Sequence, residues 1–265
     1  RYIAVTGVQT CALPISIADE VGKFLTMRRL KDLLKTEDNL SEKLNIPSGL
    51  GKWLSDLNLS NEEIESMLKT RISFKKNESI FKQGSIASYM ILLTKGLTKA
   101  HTEDMNDRTF AFKIIKPYEI IGLSSLFGKE RYGFSVTSLT ATEGFLVEKE
   151  IMESIIENNQ DFNFELLKWY GENFNLLFSK LNFLANKQAL GRIANTLLFL
   201  STKVFNNRVI DTTISRKVIA ELSGMSMENA VRILSELKND GLIKISKIGI
   251  EVIDHERLKT FSIAG

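Results

Sequence analysis

The sequence predicts an α+β chain in which a small β-roll is followed by a long helix and then a winged helix-turn-helix. Between Arg71 and about Glu148, short runs rich in Ile, Phe, Thr and Val recur with turn signals between them. From Asp161 to Lys187 apolar residues recur at helical spacing without a break. From Ile214 to Ile243 two short amphipathic helices flank a turn that contains a glycine.

The chain begins with a segment that stands outside this pattern. Val5 to Ser16, reading VTGVQTCALPIS, resembles the in-frame translation of a sequencing-library adapter. On that reading residues 1–16 are excluded from the fold and Met27 is a start. Cys11, the only cysteine, goes with them, which leaves no disulfide, thiolate metal site or cysteine nucleophile. A short signal peptide centred on Val5 to Ile15 is the alternative, but Gly7, Gln9 and Thr10 interrupt it and no cleavage pattern follows. Residues 17–54 form an N-terminal segment in which Lys31 to Lys43 is polar and helix-compatible.

The β-roll domain is expected over 55–158. Ser60-Asn61-Glu62-Glu63 is a capping box, and Ile64, Met67 and Leu68 continue a packing stripe. The β-like runs are ISF, SIFKQG, MILLTKG, LTKAH, TFAFKII and the alternating FSVTSLTATEGFLVE. Lys76-Asn77, Gln83-Gly84, Lys95-Gly96, Asp104 to Asp107 and Lys116-Pro117 separate them. Several short strands at such spacing predict a small barrel or jelly roll, closed by a brief helix from Glu150 to Asn158.

The long helix is expected over 159–187. Leu167, Tyr170, Phe174, Leu177, Leu181 and Leu184 are spaced 3, 4, 3, 4 and 3, the seam of a coiled coil and hence of a homodimer. A core helix is the alternative, because Leu166, Trp169 and Leu176 add apolar surface outside that seam.

The DNA-binding domain is expected over 188–265, opening with an apolar helix from Gln188 to Phe205. Ser215 can cap the next helix, Gly224 permits a sharp turn, and Ser226 can cap the helix after it. In that last helix Ala230, Ile233, Leu234 and Leu237 form an inward stripe, and Met227, Glu228, Val231, Arg232 and Ser235 lie opposite. Arginine can donate two bonds to guanine and glutamate can accept from cytosine N4, which suits Arg232 and Glu228 to reading double-stranded DNA. Four residues apart, the two equally make an ordinary surface ion pair. Ser215, Ser226 and Asn229 are expected at the DNA backbone or at helix caps. Leu242 to Ser246 and Gly249 to Ile253, around Lys247-Ile248, predict a hairpin wing.

Composition narrows the function classes. The chain has 265 residues, 43% of them hydrophobic, enough for two domains with real cores. A net charge of +3, from 35 Lys+Arg against 32 Asp+Glu, permits nucleic-acid binding without arguing for it. No apolar run approaches a membrane span, which predicts a soluble, cytoplasmic chain with no membrane contact. There is no Gly-rich phosphate loop, no metal-type histidine spacing and no Ser-His-Asp set from two histidines, so no enzyme and no cofactor are expected. The Glu62, Glu63 and Glu65 run reads as a solvated helix face.

Taken in order, the parts resemble the Crp/Fnr family of bacterial transcription regulators, from about residue 55 to the end. The resemblance rests on SIFKQG (Ser79 to Gly84), LLTKG (Leu92 to Gly96), IIKPYEIIGLSSLFG (Ile114 to Gly128), GRIANTLLFL (Gly191 to Leu200) and the helix-turn-helix ending in Gly241 to Ile243. The third of these is similar to family members from the Bacteroidetes lineage. The resemblance implies a cyclic-nucleotide-binding-like roll and a two-fold dimer that sets recognition helices about 34 Å apart in successive major grooves. It also implies RNA polymerase as a partner, an inverted-repeat operator, Arg232 as the guanine reader and Glu228 as the cytosine reader. Met227 stands where one branch has a further base-reading arginine, so the expected half-site core is TGA or a close variant.

The sensor departs from the family's nucleotide cassette. Where that cassette has a glycine-glutamate pair for the ribose, this chain has Gly122-Leu123, and where it has arginine-serine for the phosphate, this chain has Phe134-Ser135. Lys129 and Arg131 are near but not in the cassette position. Without the cation a buried phosphate loses its main charge-assisted bond, so cyclic AMP is not expected. The oxygen-sensing branch needs cysteines for an iron–sulfur cluster, and His101 and His255 read as ordinary histidines rather than haem ligands. Gly122, Ser124, Ser125, Arg131, Phe134 and Ser135 are the expected effector-pocket residues, the effector being unidentified. Phe127, Tyr132 and Phe134 either line a pocket for an apolar ligand or fill the space a nucleotide would take.

Overall fold

A computed structural model describes residues 48–105, 108–125 and 130–264. The adapter-like segment with Cys11, Met27, the polar stretch Lys31 to Lys43, and Phe127 and Lys129 of the sensor loop lie outside the described residues. The described residues from Lys52 on belong to one compact unit.

Helix α1 (Ser48–Asp56) leads into α2 (Asn61–Met67). The capping box at its start is complete, with Glu63 N–H donating to Ser60 Oγ and Ser60 N–H to the Glu63 carboxylate. Eight short strands follow: β1 (Thr70–Phe74), β2 (Ser79–Phe81), β3 (Tyr89–Lys95), β4 (Thr98–Glu103), β5 (Thr109–Ile115), β6 (Ile120–Ile121), β7 (Ser135–Ser138) and β8 (Thr142–Glu148). They form two antiparallel four-stranded sheets, in the orders β1-β8-β3-β6 and β2-β7-β4-β5. The alternating run from Phe134 to Glu148, read as one segment in the sequence, is cut in two between the sheets. Leu139 N–H donates to Leu97 O and Leu97 N–H to Thr140 Oγ1, a turn that sends the chain from one sheet to the other.

Helix α3 (Lys149–Asn158) closes the roll and α4 (Gln160–Asn186) runs for 27 residues, capped by Asn159, which accepts from Phe162 N–H. The expected Gln188 to Phe205 helix is α-helical only as α5 (Ala189–Phe199) and then widens into a π turn over Leu200–Val204, where Phe205 N–H reaches Leu200 O.

Beyond it come β9 (Val209–Asp211), α6 (Arg216–Leu222), α7 (Met227–Asn239), β10 (Ile243–Ser246), β11 (Gly249–Val252) and α8 (His255–Ala264). The wing has a third strand, in the order β10-β11-β9, and α8 packs on α5; the sequence reading contained neither. Ile193, Leu197, Ile219, Leu222, Ile233, Leu234, Leu237 and Leu258 fill the core of this half, joined by Ala111, Ile114 and Leu139 of the roll. Each leucine or isoleucine taken fully out of water contributes about 1.5–3 kcal/mol.

Candidate nucleic-acid interface and sensor cavity

The recognition face is built by local rules. Val218 N–H donates to Ser215 Oγ and Asn229 N–H to Ser226 Oγ, both at 3.3 Å, so each helix of the pair starts at a serine cap. Gly224 turns the chain between them at φ +59°, and a Cβ there would lie 2.7 Å from Leu184. The stripe of α7 is fully committed inward, since Ala230, Ile233, Leu234 and Leu237 are at most 1% exposed. Met227 and Arg232 are therefore turned out, as are Glu228 and Ser235.

Glu228 and Arg232 do not pair with each other. Arg232 bonds Glu236 on one side and Asn229 Oδ1, at 2.9 Å, on the other. The Glu228 carboxyl turns back to the helix start, where its own backbone N–H, and then the Ser226 hydroxyl, hold it below the usual range. Asn229 thus orients the arginine, a role the spacing alone did not suggest. This ion pair is exposed and worth little in water, so Arg232 can leave Glu236 for another partner at little cost.

The helix-turn-helix is pinned to the roll and to α4. Lys99 on β4 and Glu221 on α6 form an ion pair with side chains only 11% and 6% exposed. Lys180 Nζ donates to Leu222 O at 2.7 Å, and Arg192 Nη1 to Gly224 O at 3.2 Å. Burial pushes the Lys180 ammonium down to about 8. His101, two positions along β4 from Lys99, bonds Thr137 Oγ1 at 3.0 Å and is pushed down to about 4, by burial first and then by Lys99.

Helix α4 shows two faces. Phe162, Leu166 and Phe183 are buried in the chain's own fold. Of the six seam residues, Leu167, Phe174, Leu177 and Leu181 are exposed. Tyr170, whose hydroxyl donates to Leu123 O at 3.0 Å, and Leu184, at the Gly224 turn, face inward. Besides Leu176 and Leu177, the uncovered residues Phe164, Leu167, Gly171, Phe174, Phe178, Leu181 and Ala185 keep the 3-4 alternation, one residue off the expected seam at alternate positions. Phe174 and Phe178 meet edge to face at 4.7 Å, and Gly171 leaves open space for a close helix approach.

The expected effector residues are divided by the fold. Gly122, Ser124 and Phe134 line a cavity of about 250 Å³ between the roll and α4. Ser125 is buried in a short 3-10 turn, donating its N–H to Gly122 O. Ser135 is also buried and accepts from Gln83 N–H at 3.0 Å. Arg131 lies on the surface, donating to Gly84 O at 2.7 Å, and does not reach the cavity. The backbone bridge between Ile86 and Arg131 holds it there. Tyr132 does fill the roll interior: it stacks on Phe81 at 4.1 Å and donates its hydroxyl to Tyr89 O. A second cavity of about 430 Å³ lies on the far side of Lys113, Glu119 and Asn173, which border both. Among the described residues no three metal-type ligands converge, and no helix is long and apolar enough to cross a membrane.

Residues 71–159 match the family model of the cyclic nucleotide-binding domain, and residues 191–261 that of the Crp-like helix-turn-helix domain. The chain is 25% identical to the anaerobic regulatory protein of Bacillus subtilis, over 77% of this chain and 88% of that one. Among solved structures it resembles FixK2 from Bradyrhizobium japonicum, with TM-score 0.66 and 20% identity over 72% of this chain and 96% of that one. It also resembles the c-di-GMP responsive regulator CLP of Xanthomonas campestris, with TM-score 0.63 and 20% identity over 73% and 99%.

Proposed function

The chain belongs to the Crp/Fnr family of transcription regulators, a cyclic nucleotide-binding domain joined to a Crp-like helix-turn-helix, and on that premise we propose that it binds an inverted-repeat operator as a homodimer. Recognition helices related by a two-fold axis enter successive major grooves, and half-sites contain TGA or a close variant. Arg232 donates to guanine, Glu228 accepts from cytosine, and Met227 gives an apolar contact at the outer base. RNA polymerase is the partner at the promoter, and the setting is the cytoplasm.

The observation that carries this reading is the uncovered apolar stripe on α4, placed between a sensor roll and an outward recognition face. Phe164, Leu167, Phe174, Phe178 and Leu181 are each between 55% and 68% exposed, a contiguous patch of the kind that marks a protein interface. Phe178→Glu places a charge in that seam. Sedimentation at micromolar chain is expected to show dimer for the parent and monomer for the variant, with operator affinity lost in parallel. A variant that stays dimeric and binds operator normally would contradict the proposal.

A second reading, a small-molecule receptor whose roll controls DNA binding, is favoured by the cavity that bridges the roll and the dimer helix.

A further inference from the structure

We propose that the cavity between the β-roll and α4 receives an uncharged, two-ring aromatic molecule with one N–H or O–H donor, in place of a cyclic nucleotide. This deepens the reading of the roll as a sensor and rests on it.

Size is the first constraint. A dry apolar cavity of about 150 Å³ accepts benzene, and this one measures about 250 Å³, room for one further ring. The walls match such a guest. Phe112 and Phe134 meet edge to face at 5.2 Å and 87° on the roll side. Trp169 and Phe174 also line it from α4, and Ile115 and Ile121 from the roll. Aromatic faces and edges prefer such offset and perpendicular partners.

Charge is the second constraint. Lys113 is the single cation among the described residues that border the cavity, and it is already matched. Its Nζ lies 2.6 Å from Glu119 Oε2 and 3.3 Å from Asn173 Oδ1. A phosphate would have to strip Lys113 from Glu119 and then share the cavity edge with that carboxylate. Beside Gly122, where a ribose-binding carboxylate would be needed, stands Leu123, 3% exposed. Gly122 itself, at φ +91°, lies so close to the Phe81 ring that a Cβ would be 3.1 Å away. A carboxylate has about four lone-pair sites. Glu119 uses Oε2 for Lys113 and Oε1 for Lys116 N–H, which leaves about two sites open to a donor from a guest. The guest would touch both the roll and the helix that carries the dimer stripe, so its binding can bias the roll–helix packing.

The test is calorimetric titration of the full chain with 2-naphthol, naphthalene, indole, cyclic AMP and inorganic phosphate. 2-Naphthol and indole are expected to bind, naphthalene more weakly, and cyclic AMP and phosphate not at all. Ala100→Phe, which fills the cavity from β4, is expected to abolish aromatic binding. Glu119→Gln keeps the shape and a neutral acceptor, and it is expected to weaken 2-naphthol up to about tenfold, the difference between a hydrogen bond to a charged and to a neutral acceptor, while leaving naphthalene unchanged. Saturable cyclic AMP binding without aromatic binding would overturn the proposal. So would aromatic binding that neither substitution alters, because the guest would then sit elsewhere. Operator binding measured on the same preparation separates the two failures: DNA binding without aromatic binding removes this inference and leaves the regulator standing.

Discussion

The recognition half and the sensor half of this chain use side chains in opposite ways. In α7 the apolar stripe is spent inward and the polar face is left over for another molecule. In the roll the polar groups are spent on the fold itself: Ser135 and Ser138 accept from backbone N–H groups, Tyr132 donates to Tyr89 O, and Arg131 donates to Gly84 O. What remains around the cavity is mainly aromatic and aliphatic, with the Lys113–Glu119 pair at its edge. A reading face can be assembled by one helix. A sensing site needs strands and a helix brought together from distant parts of the chain.

The seam where the halves meet gives the largest expected effect. Lys99→Met leaves Glu221 buried without its partner, and losing one member of such a pair costs about 3–5 kcal/mol. The double substitution Lys99→Met/Glu221→Leu should recover most of it in denaturant unfolding. Equal loss in the single and the double variant would show that the two halves are not coupled through this pair.

Lys180 comes next. Its folded-state pKa, about 8, lies below the ordinary 10.5, so the unfolded chain binds more protons between those values. The cost of the buried charge is therefore fully present below pH 8 and is relieved as pH rises towards 10.5, about 3 kcal/mol across the window. Stability should climb over that range in the parent and stay flatter in Lys180→Met, as thermal unfolding at stepped pH would show. Identical slopes would mean that Lys180 is solvated.

On the recognition face, Arg232→Ala should cost about 1–3 kcal/mol of base discrimination, read as the ratio of operator to scrambled-DNA affinity. An unchanged ratio would remove the base-reading role. The smallest effect is expected at the cap, where Ser226→Ala should lower stability by about 1 kcal/mol and leave the affinity ratio alone. A change in the ratio would make Ser226 a DNA contact as well as a cap.

What the sequence revealed follows the range of the interactions. The caps at Ser60, Ser215 and Ser226 and the stripe of α7 depend on residues within one or two turns, and they were legible. So was the strand texture of the roll. Strand β9 was not, because Val209–Asp211 is short and its partner β11 lies some forty residues on. Nothing in the spacing linked Lys99 to Glu221, 122 positions apart. The exposed stripe of α4 was partly legible. Leu167, Phe174, Leu177 and Leu181 of the expected set are exposed, and Phe164 and Phe178 extend the uncovered surface at the same 3-4 spacing. Only the roll, by covering Tyr170 and leaving Phe178 bare, chooses between the expected set and this surface. Glu228 and Arg232 were legible as neighbours, but Asn229 and Glu236, which hold Arg232, were not.

Selection of the full chain against random duplex DNA, with and without cyclic AMP, tests the central claim most directly. A working reading helix on a sensor without its nucleotide predicts enrichment of a two-fold repeat with TGA half-sites, the same in both arms. Enrichment of a single unrepeated site, enrichment only with the nucleotide, or none in either arm would contradict it.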